Sequence, residues 1–238
     1  MTRLITIYFS HYCEKARWAL ERANVEFVEE PHVPGISGIA VKFARGKRSV
    51  PVLVHDEGVL TESADIVRWA DASLYPTGDA EVVALCETFD RKLGPATRRV
   101  AYGRVLELPI ARLRELFGFG LSPWEATLGR TLASPLVALI RRSLKVNPEG
   151  VERSRSAITE VFATVAERLK DGRPYLCGDA FTAADLTFAA LAAPIVAPEA
   201  YARFFPSTVM DLVKDDITGP YRDSVAYAHA QRMYELHR

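Results

Sequence analysis

The sequence predicts an α/β domain followed by an all-α domain, and three features of the chain support this division. A short run rich in β-branched and aromatic residues opens the chain at Leu4–Phe9, which is typical of a buried strand. Further strand-like segments follow at residues 50–60, beginning with a Val-Pro step. Beyond them the apolar residues recur at helical spacing. We place the boundary in a stretch containing Pro and Gly, which gives domains at residues 1–76 and 77–238.

The N-terminal elements are predicted to follow the order strand, helix, strand, helix, hairpin and helix. Alternating polarity predicts a second strand at residues 25–29. A strand, helix and strand this short predict a parallel pair with a right-handed crossover. A short second helix is expected near residues 39–44, a hairpin turn at residues 55–58, and a third helix that opens at Glu62-Ser63.

The C-terminal part is predicted to be entirely helical. The expected helices cover residues 79–118, 122–145, 148–171, 182–193 and 220–236. Asn147 is the expected N-cap of the third of these helices, with Pro148 at its first position. Thr182 and Asp185 have the spacing of a capping box, so we interpret Asp185 as a structural residue rather than a catalytic carboxylate.

The composition excludes several classes of function. Thirty basic and thirty acidic residues give a formal net charge of zero, so neither nucleic acid nor a charged membrane is an expected partner. The first strand begins too early to follow a secretion signal, and the apolar runs are too short to span a bilayer. Three widely spaced cysteines predict neither a disulfide framework nor a metal site. We therefore expect a cytoplasmic protein.

The junction between the first strand and the first helix is the candidate for chemistry. Ala16, Leu20 and Ala23 recur at helical spacing, so the first helix is predicted to begin near Ser10. The free N–H groups of a helix N-terminus favour a negative charge such as a thiolate or a phosphate. Serine is also a preferred N-cap, so Ser10 has both a functional and a purely structural interpretation.

Three motifs together resemble those of the glutathione transferase superfamily, whose first domain is thioredoxin-like. Ser10-His11-Tyr12-Cys13 falls where tau-class enzymes carry Ser-Pro-Phe, omega-class enzymes Cys-Pro-Phe and glutaredoxins Cys-Pro-Tyr-Cys. Val50-Pro51 and Glu62-Ser63 follow in the order of the family. The sequence departs from the family at His11, where proline is usual. The resemblance implies a thioredoxin-like N-terminal domain and an all-α C-terminal domain over the whole chain.

The resemblance also implies a binding site for glutathione as co-substrate. The backbone of Val50, held by Pro51, would pair with the cysteinyl part of glutathione. Ser63 and the first-turn N–H groups beside it suit the carboxylate of the γ-glutamyl group, and Glu62 suits its amino group. Lys47, in a basic cluster before the third strand, is a further candidate contact, with a solvated charged surface as the alternative.

Three side chains compete for the activation of the glutathione thiol. Ser10 would donate a hydrogen bond to the thiolate. Tyr8 is the rival, because tyrosine-type transferases carry Tyr-Phe at the end of this strand. Cys13 occupies the second cysteine position of glutaredoxins, and its alternative is a small residue packed in the first helical turn. His11 would polarise water or ligand, but an exposed first-turn histidine is the simpler expectation.

The expected activity is conjugation of glutathione to a small hydrophobic electrophile, in a protein that resembles family members that form homodimers. Tyr12, Tyr102 and Trp124 are the candidate contacts for the electrophile. The aromatic residues of the region 100–145 are interpreted either as a wall for this substrate or as core. Two alternatives stay open, namely a glutathione-dependent reductase or isomerase that uses Cys13, and a non-catalytic scaffold or ligand carrier.

Overall fold

The computed structural model describes residues 1–44, 46, 49–76 and 80–238. A small mixed sheet with three helices comes first, and a helical domain follows. This arrangement confirms the predicted fold class. The predicted boundary between residues 76 and 77 adjoins residues outside this description, so it stays a prediction.

The sheet has four strands in the order β2-β1-β3-β4. They are β1 (Arg3–Thr6), β2 (Val28–Pro31), β3 (Val52–His55) and β4 (Gly58–Leu60). Strand β1 pairs in parallel with β2 and antiparallel with β3, and β3 pairs antiparallel with β4. The parallel pair and the hairpin are confirmed. β1 ends before Phe9, and β2 begins three residues later than predicted.

Three helices accompany the sheet: α1 (His11–Arg22), α2 (Ser37–Phe43) and α3 (Ser63–Ala70). Leu4 of β1 and Leu53 of β3 form one buried cluster with Ala16, Leu20 and Ile66 of helices α1 and α3. This cluster holds both helices against the sheet. It therefore fixes the two helix N-termini at which the sequence places Ser10 and Ser63.

The helical domain contains ten α-helices among the described residues. They are α4 (Ala80–Thr88), α5 (Gly94–Val105), α6 (Ile110–Gly118), α7 (Pro123–Thr131), α8 (Ala133–Ser143), α9 (Pro148–Arg168), α10 (Ala183–Val196), α11 (Glu199–Ala202), α12 (Ser207–Thr218) and α13 (Val225–His237). A π-helical segment, Phe89–Leu93, joins α4 to α5. The predicted helices at residues 79–118 and 122–145 are thus divided into shorter ones, whereas the one predicted at 148–171 is confirmed as α9. Helices α11 and α12 lie where no helix was predicted.

The predicted caps of two helices are confirmed. The Asn147 side chain accepts a hydrogen bond of 2.7 Å from the Gly150 amide at the start of α9. Thr182 and Asp185 form the capping box of α10, and the Asp185 carboxylate also accepts a 2.8 Å bond from the Leu176 amide. Asp185 has no exposed surface. It is a structural residue of the helical core, as predicted.

Polar contacts join the two parts of the chain along α1. Lys15 Nζ lies 2.9 Å from both carboxylate oxygens of Asp90. The Trp18 indole N–H donates to the His237 carbonyl oxygen at 2.8 Å. Helix α1 therefore packs between the sheet and the helical domain. Within the described ranges no helix is both long and apolar enough to cross a membrane.

Candidate active site

Ser10 occupies the N-cap position of α1 without capping it. Its backbone is extended, with φ −77° and ψ 126°, and its hydroxyl makes no capping hydrogen bond. The Ser10 amide donates to the Ile7 carbonyl oxygen at 2.9 Å, which turns the chain from the strand into the helix. The Tyr201 hydroxyl donates to the neighbouring Phe9 carbonyl oxygen at 2.8 Å. The junction is therefore fixed from both domains, and the Ser10 hydroxyl is not used in capping.

A cavity of about 250 Å³ opens beside Ser10, between the sheet and the helical domain. The N-terminal domain contributes Ile7, Phe9, Ser10, His11, Pro34 and Gly35 to its wall. Helix α5 contributes Arg98, Ala101, Tyr102 and Val105, at the i, i+3, i+4 and i+7 spacing of one helix face. Most of the remaining wall is apolar and comes from α8, α10 and α12. A small, mainly apolar molecule placed here would lie against Ser10.

His11 is buried at the start of α1, so the expectation of an exposed histidine is wrong. Its side chain lines the cavity, and the Nε2–H group donates to the Gly94 carbonyl oxygen at 2.9 Å. Burial, helped by the charge of Arg98, lowers the pKa of His11 to about 3. The imidazole is therefore neutral at physiological pH, and it contributes no positive charge beside Ser10.

Cys13 lies one helical turn beyond Ser10, and it has no exposed surface. Burial raises the pKa of the Cys13 thiol to about 11, although Arg17 and a hydrogen bond from Ser10 favour the thiolate. The thiol is therefore protonated at neutral pH. Since reactive cysteines are partly exposed thiolates, this environment is that of a packed small residue and not of a nucleophile.

Tyr8 is not among the residues that line the cavity. Its ring packs edge-on against Phe204, with 5.1 Å between ring centroids, and also contacts Phe119 at 5.9 Å. The guanidinium of Arg17 lies 5.7 Å from the centroid of the Tyr8 ring. Tyr8 therefore fills the space behind the junction, and this geometry favours Ser10 over Tyr8 as the hydroxyl that meets a ligand.

Two of the three candidate contacts for an electrophile lie outside the cavity. The Tyr12 hydroxyl donates to the Asp90 carbonyl oxygen at 2.8 Å, and burial raises the pKa of that hydroxyl. Trp124 is 64% exposed on the outer surface of α7. The Tyr12 side chain joins α1 to the helical domain and that of Trp124 faces solvent, so this geometry gives neither residue support as a contact for the electrophile, and both assignments stay predictions.

Tyr102 does line the cavity together with Ser10. Burial raises the pKa of the Tyr102 hydroxyl to about 12, although the charge of Arg98 opposes the shift. Of the other aromatic residues in this region, Phe117 is buried core, and Phe119 packs on Tyr8. The region 100–145 thus supplies residues both to the cavity wall and to the core, and its composition alone did not distinguish the two.

The residues that resemble a glutathione site lie at the ends of β3 and β4. The Val50–Pro51 peptide bond is cis, and Pro51 is buried. Ser63 is the first residue of α3 and is buried, whereas Glu62 occupies the N-cap position and is exposed. Neither α1 nor α3 has a side-chain cap at its N-terminus. Lys47 lies outside the described residues.

A buried charged cluster beneath the junction was not identified from the sequence. The Arg17 guanidinium donates to the Tyr8 carbonyl oxygen at 2.7 Å and to both carboxylate oxygens of Glu29. Glu14 lies 3.5 Å from Arg17 and accepts a 2.8 Å bond from Arg238. In the sequence Glu14 and Arg17 have the i, i+3 spacing of a helical ion pair, but the other partners, Glu29 and Arg238, lie farther along the chain. The cluster holds the strand end that positions Ser10.

Two family comparisons agree with this geometry. Residues 4–76 match the family described as glutathione S-transferase, N-terminal domain. Residues 148–218 match the family described as glutathione S-transferase, C-terminal domain. The chain belongs to the glutathione transferase superfamily. No curated protein matches the sequence.

Solved structures with a similar fold include two glutathione transferases and a beta-etherase. Glutathione transferase F2 from Populus trichocarpa is 15% identical, with 99% of both chains covered and a TM-score of 0.58. Glutathione S-transferase-I bound with lactoylglutathione is 16% identical, with 98% of this chain and 99% of the other covered and a TM-score of 0.56. The beta-etherase LigF from Sphingobium sp. strain SYK-6 is 15% identical, with 97% and 98% covered and a TM-score of 0.57. At these identities the likeness shows a shared fold.

Proposed function

We propose that this protein is a glutathione transferase that conjugates glutathione to a small hydrophobic electrophile. The observation that carries the proposal is the position of Ser10, which stands at the uncapped N-terminus of α1 and in the wall of the apolar cavity. A thiolate held by the Ser10 hydroxyl would face an electrophile bound in that cavity. A helix N-terminus and a hydrogen-bond donor both stabilise a negative charge at this position.

Glutathione would bind along the edge formed by β3 and the start of α3. The Val50 backbone would pair with the cysteinyl part, and Ser63 with the first N–H groups of α3 would hold the γ-glutamyl carboxylate. Glu62, which is exposed beside it, would meet the amino group. The glutathione conjugate carried by one structural relative supports this choice of co-substrate. Lys47 stays a candidate contact.

The chemical step requires a glutathione thiolate near neutral pH. The ordinary pKa of a cysteine-type thiol is about 8.5, and each unit of decrease is worth about 1.4 kcal/mol. The thiol proton passes to solvent, and the Ser10 hydroxyl donates a hydrogen bond to the sulfur. The thiolate then attacks the electrophilic carbon, so that a carbon–sulfur bond forms. In a substitution, the leaving group departs with its electron pair.

The first experiment measures glutathione affinity by calorimetry for the natural protein and for Ser63→Ala. We expect micromolar to low-millimolar binding that falls about tenfold in the variant, because a hydrogen bond to a charged group is lost. Ser156→Ala, at an exposed position on α9, is the matched control and should bind normally. Absence of binding in the natural protein would refute the proposal and favour a scaffold.

The second experiment tests the role of Ser10. Ser10→Ala should keep the affinity for glutathione within about twofold, whereas the pKa of the bound thiol should return toward about 8.5. Titration of the thiolate absorbance in the ultraviolet measures this pKa. An unchanged pKa would remove Ser10 from the mechanism. The buried, protonated Cys13 gives no support to the reductase alternative.

The proposal includes three further properties of the molecule. They are the division into domains at residues 1–76 and 77–238, a homodimeric state and a cytoplasmic location. Light scattering coupled to gel filtration measures the mass of the assembly, and a value equal to one chain of 26.4 kDa would exclude the dimer. Expression of residues 77–238 alone tests whether the helical domain folds by itself.

A further inference from the structure

The wall of the cavity beside Ser10 carries charge of one sign. Two cationic side chains, Arg98 and Lys214, line a cavity that is otherwise mainly apolar. Among the described residues that line it, none is an aspartate or a glutamate. His11 also lies in the wall, but its imidazole is neutral. The cavity therefore offers positive charge to its contents and no compensating carboxylate.

Arg98 is directed into this wall by the helix that carries it. It shares one face of α5 with Ala101 and Tyr102, which also line the cavity. In the described part of the chain the Arg98 side chain forms no ion pair and no hydrogen bond. A half-buried guanidinium ordinarily finds an anionic or carbonyl partner, because its five N–H donors otherwise lose solvation. Its position therefore suits an anionic ligand.

The charge of Arg98 reaches the groups around Ser10. It lowers the pKa of His11 and opposes the upward shift of the pKa of Tyr12 and of Tyr102. These three side chains surround the start of α1 and the inner face of α5. The guanidinium is thus close to the place where the electrophile would meet the thiolate.

Lys214 supplies a second cation at the outer end of the cavity. It lies on α12 and is exposed. Two acidic neighbours on the same helix are already paired, because Asp215 binds Arg222 and Asp216 lies 2.6 Å from Arg104. The third, Asp211, is exposed and forms no ion pair with Lys214 in the described part of the chain. Over residues 1–44, 46, 49–76 and 80–238, Lys214 has no ion pair of its own. The two cations lie along one apolar cavity.

We propose that the cavity selects apolar molecules that carry an anionic group, and that Arg98 binds this group while Lys214 attracts it. In terms of the transferase function proposed above, on which this substrate assignment rests, the electrophile is a hydrophobic compound with a carboxylate or sulfonate. The apolar part contacts Ala101, Val105 and the neighbouring helices. The anionic group accepts hydrogen bonds from the guanidinium.

The test uses two fluorescent probes of nearly equal shape that differ in charge. 1-Anilinonaphthalene-8-sulfonate carries a sulfonate, and N-phenyl-1-naphthylamine lacks it. Arg98→Gln should lower the affinity for the sulfonate probe about tenfold, as expected for the loss of a charge-assisted hydrogen bond. It should change the affinity for the neutral probe by less than about twofold. Lys214→Gln should lower the affinity for the sulfonate probe about twofold to threefold, because the charge of Lys214 is exposed and screened by salt.

Arg91→Gln is the matched control, since it removes the same charge at an exposed residue that does not line the cavity. This variant should leave the affinity for both probes unchanged. If Arg98→Gln lowered the affinity for both probes equally, Arg98 would only shape the cavity, and this would overturn the proposal. Unchanged affinity for the sulfonate in Arg98→Gln would overturn it as well.

A second measurement separates this proposal from the transferase function. Glutathione affinity of Arg98→Gln is measured by calorimetry, and we expect it to stay within about twofold of the natural value. A loss of glutathione affinity would assign Arg98 to the glutathione site and would refute its role toward the electrophile. If the natural protein binds no glutathione but still discriminates between the probes, the transferase proposal fails while anion selection stands.

Turnover then extends the test to the electrophile. The probes are 4-chloro-3,5-dinitrobenzoate and its neutral methyl ester, with each enzymatic rate divided by the uncatalysed rate with glutathione. The natural protein should prefer the benzoate by kcat/KM after this correction, and Arg98→Gln should lose the preference through KM. A corrected preference that is the same in both proteins would overturn the assignment.

Discussion

Arg238→Met should destabilise the protein strongly, because it removes the principal partner of a buried carboxylate. Glu14 has no exposed surface, and it accepts a 2.8 Å hydrogen bond from Nε of Arg238. The Arg238 side chain is itself only 5% exposed, and it also pairs with Glu21. After the substitution Arg17, at 3.5 Å, is the one ion-pair partner left to Glu14 among the described residues. Methionine retains most of the apolar stem of arginine, so the change isolates the charge.

The expected magnitude follows from the environment of Glu14. Removal of one partner from a buried ion pair costs about 3–5 kcal/mol. Arg17 stays in place but is shared with Glu29, so we expect the lower end, about 3 kcal/mol. For a chain of this size this loss corresponds to a decrease in Tm of about 6–12 °C. Urea unfolding at 25 °C, followed by circular dichroism, measures the free energy directly.

The effect of Arg238→Met should also depend on pH. Burial raises the pKa of Glu14, while Arg238, Arg17 and Arg203 oppose the shift, so loss of Arg238 raises it further. A carboxyl whose folded-state pKa exceeds its unfolded value binds a proton more readily in the folded state. Its contribution to stability therefore falls as pH rises through the window above the unfolded pKa of about 4.3. The destabilisation should be larger at pH 8 than at pH 5.

Two variants control this prediction. Arg91→Met removes an arginine that is 79% exposed, and it should cost less than about 0.5 kcal/mol. Glu14→Gln combined with Arg238→Met should be more stable than Arg238→Met alone, because the unpaired buried charge is gone. The reasoning is refuted if Arg238→Met and Arg91→Met are equally stable, or if the loss is the same at both pH values.

Two further predictions concern the junction and the helical wall. Cys13→Ala should keep glutathione conjugation within about twofold, because the thiol is protonated, with a pKa of about 11; loss of turnover would instead make Cys13 the reacting group. Gly129→Ala should destabilise the protein by about 1–3 kcal/mol in urea, since the new Cβ would collide with the backbone oxygen of Phe117. Gly38→Ala, in α2, meets nothing within 4 Å and should be neutral or slightly stabilising; equal effects of the two glycine substitutions would contradict this account.

The sequence predicted those parts of the fold that depend on local pattern. The strand near Leu4, the parallel pair, the hairpin and the caps Asn147 and Thr182 follow from residues close together in the chain. The residues of the cavity do not, because they come from seven α-helices and the segments that connect them, between residues 7 and 217. Helix α12 was missed, although it contributes Lys214 to the wall.

The positions of Tyr12 and Trp124 outside the cavity have a common physical cause. Their aromatic character indicated contact with a ligand, but the direction of a side chain depends on the rotation of its helix against its neighbours. Tyr12 points from α1 toward Asp90, and Trp124 points from α7 into solvent. Arg98 was overlooked for the opposite reason, because a charged residue on a helix is usually solvated.

The choice between Ser10 and Cys13 depends on a single helical turn. At the N-cap position the backbone is still extended, so Ser10 lies at the domain cleft, where the first N–H groups of α1 lack helical partners. Three residues later Cys13 has turned into the interior, where burial raises the pKa of its thiol to about 11. A dithiol enzyme with this backbone would need its reactive thiol at residue 10. The chain carries serine there, so the transferase function proposed above takes its thiol from a co-substrate, glutathione.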